Sequence, residues 1–202
     1  MIRHGRVAQP WPERIYGDLD VPLSEEGRAG SRRAAERLAR EPLALVVSSG
    51  LERADYLARE LVARSAADGA APPLVREPRL REIHRGEWSG LGEDELEARH
   101  PGAWRRFWER GGAQPPPGGE TLEELARRVS AALEELGARH PGASVAIAAH
   151  RWVLRAAACS LLGLSLERAV RLDIPPCGLL VLDWPGPGEA PSVGRLVVPG
   201  GA

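Results

Sequence analysis

Two apolar runs constrain this chain more than any other feature. Leu43-Ala-Leu-Val-Val47 and Ser144-Val-Ala-Ile-Ala-Ala149 lack the polar/apolar alternation of a strand with one wet face. Each reads as a strand covered on both sides, and Leu179-Leu-Val-Leu182 reads as a third. The segments between them have a helical period. Ala54, Leu57, Ala58, Leu61 and Val62 form one apolar stripe, and Val153, Leu154, Ala157, Ala158 and Leu161 form another. Thr121-Leu-Glu-Glu124 is a capping box ahead of a helix that continues through Leu125, Ala126, Val129, Leu133 and Leu136. Ser24, followed by Glu25 and Glu26, starts a helix predicted to run to about Arg40. Strands alternating with helices predict an α/β fold, three layers deep (α/β/α), with a mostly parallel central sheet.

The hexapeptide Ala98-Arg-His-Pro-Gly-Ala103 recurs as Ala138-Arg-His-Pro-Gly-Ala143. Cations in a last helical turn followed by Pro-Gly are stop signals, so His100 and His140 are assigned to helix ends. No linker interrupts the pattern. Gly111–Gly119 reads as a surface loop and Pro199-Gly-Gly-Ala202 as a frayed end. The chain is 202 residues long and 43% hydrophobic, enough for one sizeable core and a single domain over 1–202.

Charge and residue usage exclude several functions. A formal net charge of −1 provides no field for nucleic acid or an anionic membrane, so neither is expected as a partner. Every basic residue is arginine, which rules out a P-loop lysine and a lysine Schiff base. Cys159 and Cys177 are too few for a disulfide framework and lack metal-ligand spacing, as in a reducing cytosol. With no signal peptide and no spanning apolar run, a cytoplasmic location is expected.

With His100 and His140 set aside, His4, His84 and His150 remain. Ligands in open α/β sheets sit beyond the carboxyl ends of the strands. Arg3-His4-Gly5 follows the stub of a first strand, Ser48-Ser-Gly-Leu-Glu-Arg53 follows the second, and His150 follows Ser144–Ala149. His4 is a possible nucleophile toward phosphorus, Arg3 a clamp for phosphoryl oxygens, and Gly5 a place where backbone can approach an anion. Taken singly, Arg53 could be an exposed helix residue and His150 a packed strand-end residue. Taken together, two arginines and two histidines on one sheet edge, with a helix N-terminus after His150, describe a phosphate pocket. Gly142-Ala-Ser-Val-Ala146 approaches a serine-hydrolase elbow, but Ser144 begins a strand, where such a nucleophile would follow one.

These residues resemble the histidine phosphatase superfamily, in its phosphoglycerate-mutase-like branch. The motifs, in family order, are Arg3-His4-Gly5, Asp20–Gly27, Ser48–Ala54, Leu80-Arg-Glu-Ile-His-Arg-Gly-Glu-Trp88, Gly118-Gly-Glu-Thr121 and Val145–His150. The resemblance implies a phosphoglycerate-mutase-like fold. It implies that His4 is transiently phosphorylated, that Arg3, Arg53 and His150 bind the phosphoryl oxygens, and that Glu82 gives and takes the proton. No metal or other cofactor is implied, and the partner is a small phosphorylated metabolite. A homodimer is compatible with this reading.

Three departures from the family pattern stand out. Only Met1 and Ile2 precede Arg3 where the family has a full strand, so a longer first strand beginning upstream is expected. Arg6-Val-Ala-Gln-Pro10 replaces the usual polar loop, and Arg151-Trp152 follows His150 in place of a glycine. Arg151 either adds a cation to the pocket or points away. The short segment at about 92–119, with Trp104, Phe107 and Trp108 at helical spacing, is expected to cap the site. Its size favours a phosphatase over a phosphoglycerate mutase-type phosphotransferase, and a non-catalytic phospho-ligand binder is the third reading. Arg14–Leu23 resembles α-ribazole phosphatase, which suggests α-ribazole phosphate or a sugar phosphate as substrate.

Overall fold

The computed structural model describes residues 1–66, 70–112 and 114–183, and the backbone of 192–197. Pro199–Ala202, expected to fray, lie outside the described residues. Six strands form one sheet: β1 (Ile2–Arg3), β2 (Leu43–Ser48), β3 (Leu74–Arg76), β4 (Ser144–Ala149), β5 (Leu179–Asp183) and β6 (Ser192–Val197). Their spatial order is β3-β2-β4-β1-β5-β6. β3, β2, β4 and β1 run parallel, while β5 is antiparallel to both β1 and β6. β2 and β4 coincide with the two apolar runs to within a residue. β3 is legible only in the structure, because three half-wet edge residues carry no pattern.

Period-two alternation divides each central strand between two cores. Leu45 and Val47 face one way, with Ile147 and Ala149, under α5 (Leu122–Arg139) and α6 (Arg151–Leu162). Val46 faces the other way, with Ile2, Ala146 and Ala148, under α1 (Glu25–Leu38) and α2 (Glu52–Ser65). The result is the expected three layers. α1 ends at Leu38, slightly short of the predicted Arg40. Two short helices, α3 (Glu93–Arg99) and α4 (Ala103–Glu109), precede α5 and bury Phe107 in the first core.

The helix ends follow their capping signals. Ser24 accepts from the Gly27 amide at 3.0 Å, and Thr121 and Glu124 exchange the reciprocal bonds of a capping box. Leu51, the N-cap of α2, offers no side-chain bond, and Asp20 supplies one from a distant loop by accepting from the Glu52 amide at 2.8 Å. His100 and His140 are the C-caps of α3 and α5, as their Pro-Gly context predicts.

β1 is as short in the structure as in the sequence. Arg3 and His4 donate to the carbonyls of Gly178 and Ala149, both at 3.0 Å, and Leu180 donates to Met1 at 2.8 Å. The Met1 amine donates to the Leu180 carbonyl at 2.7 Å, and burial lowers its pKa to about 5. Beside it, between β4 and β5, runs a groove of about 590 Å³ lined by residues including Ser144–Ile147 and Leu179–Asp183.

Just past β1 the chain crosses the first turn of α1 at van der Waals contact. A Cβ on Gly5 would lie 2.2 Å from the Gly27 carbonyl oxygen, and one on Gly27 would lie 2.0 Å from that of Arg6. Gly5 is therefore required for packing against a helix, a different reason from the approach to an anion that its place beside His4 suggests. We expect Gly27→Ala to destabilise the fold by about 3 kcal/mol or more, since the obstacle is backbone. Urea unfolding tests this, and a loss below about 0.5 kcal/mol would refute the crossing.

Candidate active site

β1, β4 and β2 are neighbours, so the segments leaving their carboxyl ends converge. That adjacency brings Arg3, His4, Ser49, Arg53 and His150 together from distant parts of the sequence. Arg3, His4, Arg53, Glu82 and His150 are all buried, Arg53 and His150 completely. Above them opens a cavity of about 550 Å³, lined among others by Arg3, His4, Glu82, Arg85, Arg151 and Trp152. Arg3, His4 and Glu82 thus line one cavity, and Arg53 and His150 are buried against His4.

The hydrogen bonds of His4 fix its tautomer. Nδ1 lies 2.7 Å from the Gly5 carbonyl oxygen, which can only accept, so Nδ1 carries the proton. Nε2 is left with its lone pair and accepts from Arg53 Nε at 3.3 Å. Burial, and then the charges of Arg53 and Arg3, hold the imidazole well below the usual histidine range. An unprotonated Nε2 beside two guanidiniums is chemically able to attack an electrophilic centre on an anion held there.

Backbone carbonyls hold the guanidiniums. Arg53 donates to Gly17 and Leu19, both at 2.6 Å, and lies over the Tyr16 ring, with its carbon 5.2 Å from the ring centroid. Gly17 adopts φ +43°, and a Cβ there would strike the Ile83 carbonyl oxygen at 2.6 Å. The Tyr16–Leu19 stretch thus seats Arg53. Arg3 donates to Ile174 at 2.7 Å, leaving its buried Nε without a partner among the described residues.

His150 lies with its ring centroid 5.2 Å from that of His4, and burial, then Arg53, also depress its pKa strongly. Its Nε2 is 2.7 Å from Ser49 Oγ, while buried Nδ1 has no partner among the described residues. Behind this pair, Ser48 donates to Asp55, which Arg76 binds through Nε at 2.9 Å. Burial works to raise the Asp55 pKa, but the Arg76 and Ser48 bonds prevail and hold it below the usual carboxylate range.

Glu82 reaches the site on an irregular loop. Its carboxylate accepts from the amides of Ile83 at 3.0 Å and Trp152 at 3.3 Å. The N-terminus of α6 therefore points one amide at Glu82, a protein anion, in addition to any charge in the cavity. Arg128 of α5 ties the loop down, donating to the carbonyls of Arg79, Arg81 and Glu82 at 2.6, 2.7 and 3.3 Å. Glu120 grips Arg128 in turn, at 2.6 Å.

The remaining candidates separate cleanly. His84 is half-exposed and pairs with Asp18 at 3.0 Å, away from the cavity lining. Arg151 lines the cavity, which resolves its two alternatives, and Ser144 opens β4 on the surface. Trp104 and Trp108 form part of the cavity wall while Phe107 packs inward, so the aromatic stripe serves core and site together. Ser49, Arg85 and Arg128 were missed, because only their three-dimensional neighbours give them meaning. Among the described residues no group of three or more His, Cys, Asp and Glu side chains is arranged to hold a metal ion.

The neutral histidines have a consequence for stability. The unfolded chain protonates each near 6.5, whereas the folded chain resists protonation until lower pH. Their contribution is complete above about pH 6.5 and is lost below it, at up to about 2.7 kcal/mol per pH unit for the pair. We expect His150→Asn to remove roughly half of that slope in urea unfolding between pH 6.5 and 5. An unchanged slope would show that His150 is protonated in the folded protein.

Comparison with known proteins agrees with this geometry. The family profile of the histidine phosphatase superfamily (branch 1) matches residues 1–193. Phosphoserine phosphatase 1 of Hydrogenobacter thermophilus is 33% identical over 83% of this chain and 77% of its own length. The 2,3-bisphosphoglycerate-dependent phosphoglycerate mutase 2 of Gloeobacter violaceus is 34% identical over 88% of this chain and 81% of its own. A mycobacterial glucosyl-3-phosphoglycerate phosphatase solved with VO3 superimposes with a TM-score of 0.82 at 31% identity, covering 100% of this chain and 98% of that one. With its motifs in order on one sheet edge and its profile matched over nearly the full length, this chain belongs to the histidine phosphatase superfamily, branch 1.

Proposed function

We propose that the protein hydrolyses small phosphomonoesters through a phosphohistidine at His4, with no metal ion. The observation that carries this reading is the unprotonated Nε2 of His4, held against Arg53 at the floor of a cationic cavity. A phosphate group there would have its oxygens held by Arg3, Arg53 and His150. Nε2 forms a bond to phosphorus as the ester P–O bond breaks, and the departing oxygen takes a proton from Glu82. Water then attacks phosphorus, losing its proton to the Glu82 carboxylate. The P–N bond breaks, and inorganic phosphate leaves with His4 neutral again. The guanidiniums supply the charge stabilisation that a metal provides in other phosphatases.

The segment at 92–119 acts as the cap of this single catalytic domain, with Trp104 and Trp108 over the cavity. Its two short helices leave room for a small leaving group and favour hydrolysis over mutase chemistry. A purely binding role would have no use for a carboxylate buried, cradled by two amides and tied down by Arg128. Relatives that act on phosphoserine, phosphoglycerate and glucosyl-3-phosphoglycerate suggest small phosphorylated metabolites as substrates. α-Ribazole phosphate and sugar phosphates complete the panel to be assayed.

The protein is expected to hydrolyse p-nitrophenyl phosphate with activity undiminished by EDTA; loss in EDTA with recovery on adding a divalent ion would overturn metal independence. Quenching during turnover is expected to trap acid-labile, alkali-stable phosphate on His4. His4→Ala is expected to lose label and at least about a thousandfold in rate. Glu82→Gln is expected to slow alkyl phosphates about a hundredfold or more. It should phosphorylate more readily from p-nitrophenyl phosphate, whose leaving group needs no proton, and then accumulate the labelled enzyme. Label on His150, or label undiminished in His4→Ala, would overturn these roles.

A further inference from the structure

The cavity contains more positive charge than a single phosphate requires. Arg85 and Arg151 line it beside Arg3. Arg85 is 6% exposed, and its guanidinium lies over Phe107 and Trp152, 5.1 Å from each ring centroid. Burial lowers its pKa to about 10, and only the more distant charges of Glu82 and Glu120 oppose this. Arg151 is half-buried, and its Nε has no partner among the described residues.

A structural buried arginine in this protein looks different. Arg155 packs on the same Trp152 ring at 5.0 Å, yet donates to the carbonyls of Leu172 at 2.9 Å and Val170 at 3.1 Å. Arg3 and Arg53 likewise hold backbone carbonyls. Among the described residues Arg85 has neither a carbonyl nor a carboxylate acceptor. Its ring contacts fix the plane of the guanidinium and leave its N–H edge free, a geometry suited to a planar or tetrahedral anion.

We infer that Arg85 and Arg151 form a subsite for a second anionic group on the substrate, so that preferred esters carry a carboxylate or second phosphate a few atoms from the reacting phosphoryl group. This rests on the phosphatase reading above. The phosphoryl dianion is accounted for by Arg3, Arg53 and His150. Arg6 and Arg14 also line the cavity but pair with Glu26 and Glu95, so the second anion would fall to Arg85 and Arg151. Trp104, Trp108 and Trp152 would cover the carbon skeleton between the charges. Glu13 and Glu93 also line this cavity, so any cationic group on a test substrate must be held constant.

Two matched pairs meet that requirement. Phosphoserine and phosphoethanolamine share an ammonium and differ by one carboxylate. Fructose 1,6-bisphosphate and fructose 6-phosphate differ by one phosphate. We expect the wild type to prefer the more anionic member of at least one pair by tenfold or more in kcat/KM, and the pair that responds identifies the second anion. Arg85→Gln and Arg151→Gln are expected to bring that ratio toward one, chiefly through KM, with Arg85→Lys restoring part of it. Should Arg85→Gln fail to fold, as a thermal melt would reveal, Arg85→Lys and Arg151→Gln still decide the matter. Ratios near one in the wild type for both pairs, while p-nitrophenyl phosphate is turned over, would overturn the subsite and leave the phosphatase intact. A preference that persists in every folded variant would also overturn it. No turnover of p-nitrophenyl phosphate would remove the phosphatase reading and this inference together.

Discussion

The contact between Arg53 and His4 is the constraint around which the rest is arranged. A guanidinium at 0% exposure is costly to bury, and here no carboxylate bonds to it directly. Two carbonyls of the Tyr16–Leu19 loop and the aromatic ring of Tyr16 satisfy it instead, leaving its Nε–H for the imidazole. That N–H points at Nε2, while the Gly5 carbonyl holds the ring proton on Nδ1 and burial keeps the imidazole neutral. Gly17, at positive φ, supplies one of the two carbonyls.

Around this contact the site is tied to the rest of the fold by hydrogen bonds. Each element of the floor is held by something outside it: Arg53 by a loop, Glu82 by α5 and the start of α6, and the second helix by Asp20 from far along the chain. The cavity's upper wall is made of large aromatic rings on α4 and α6. Rings are stiff and add little conformational entropy to be lost when a substrate is enclosed. The division is between a hydrogen-bonded, charged floor and an aromatic wall.

Much of this was legible in the sequence, for definite reasons. The central strands announce themselves because burial on both faces leaves no polar residue from Leu43 to Val47 of β2 or from Val145 to Ala149 of β4. Helix starts carried a capping signal where the cap is local, at Ser24 and Thr121. The start of α2, whose cap comes from Asp20, could be placed near Arg53 only from the preceding strand and the apolar stripe. Arg3, His4, Arg53 and His150 could be grouped because strand ends share an edge. Glu82 could not be selected on chemistry alone, since its loop has no period; resemblance was needed. Ser49, Arg85 and Arg128 stayed hidden, because their roles depend on what faces them across space.

The crossing of Gly5 over Gly27 has an implication of another kind. Most tight contacts in proteins can be relieved from either side, by making the neighbour smaller when one residue grows. Here both residues are already the smallest available, and the atoms they would strike are backbone carbonyls, which no substitution removes. At neither position could a smaller side chain opposite it compensate. The loop after His4 and the first helix are thus coupled through main chain, and neither can take on a side chain at the crossing without displacing the other.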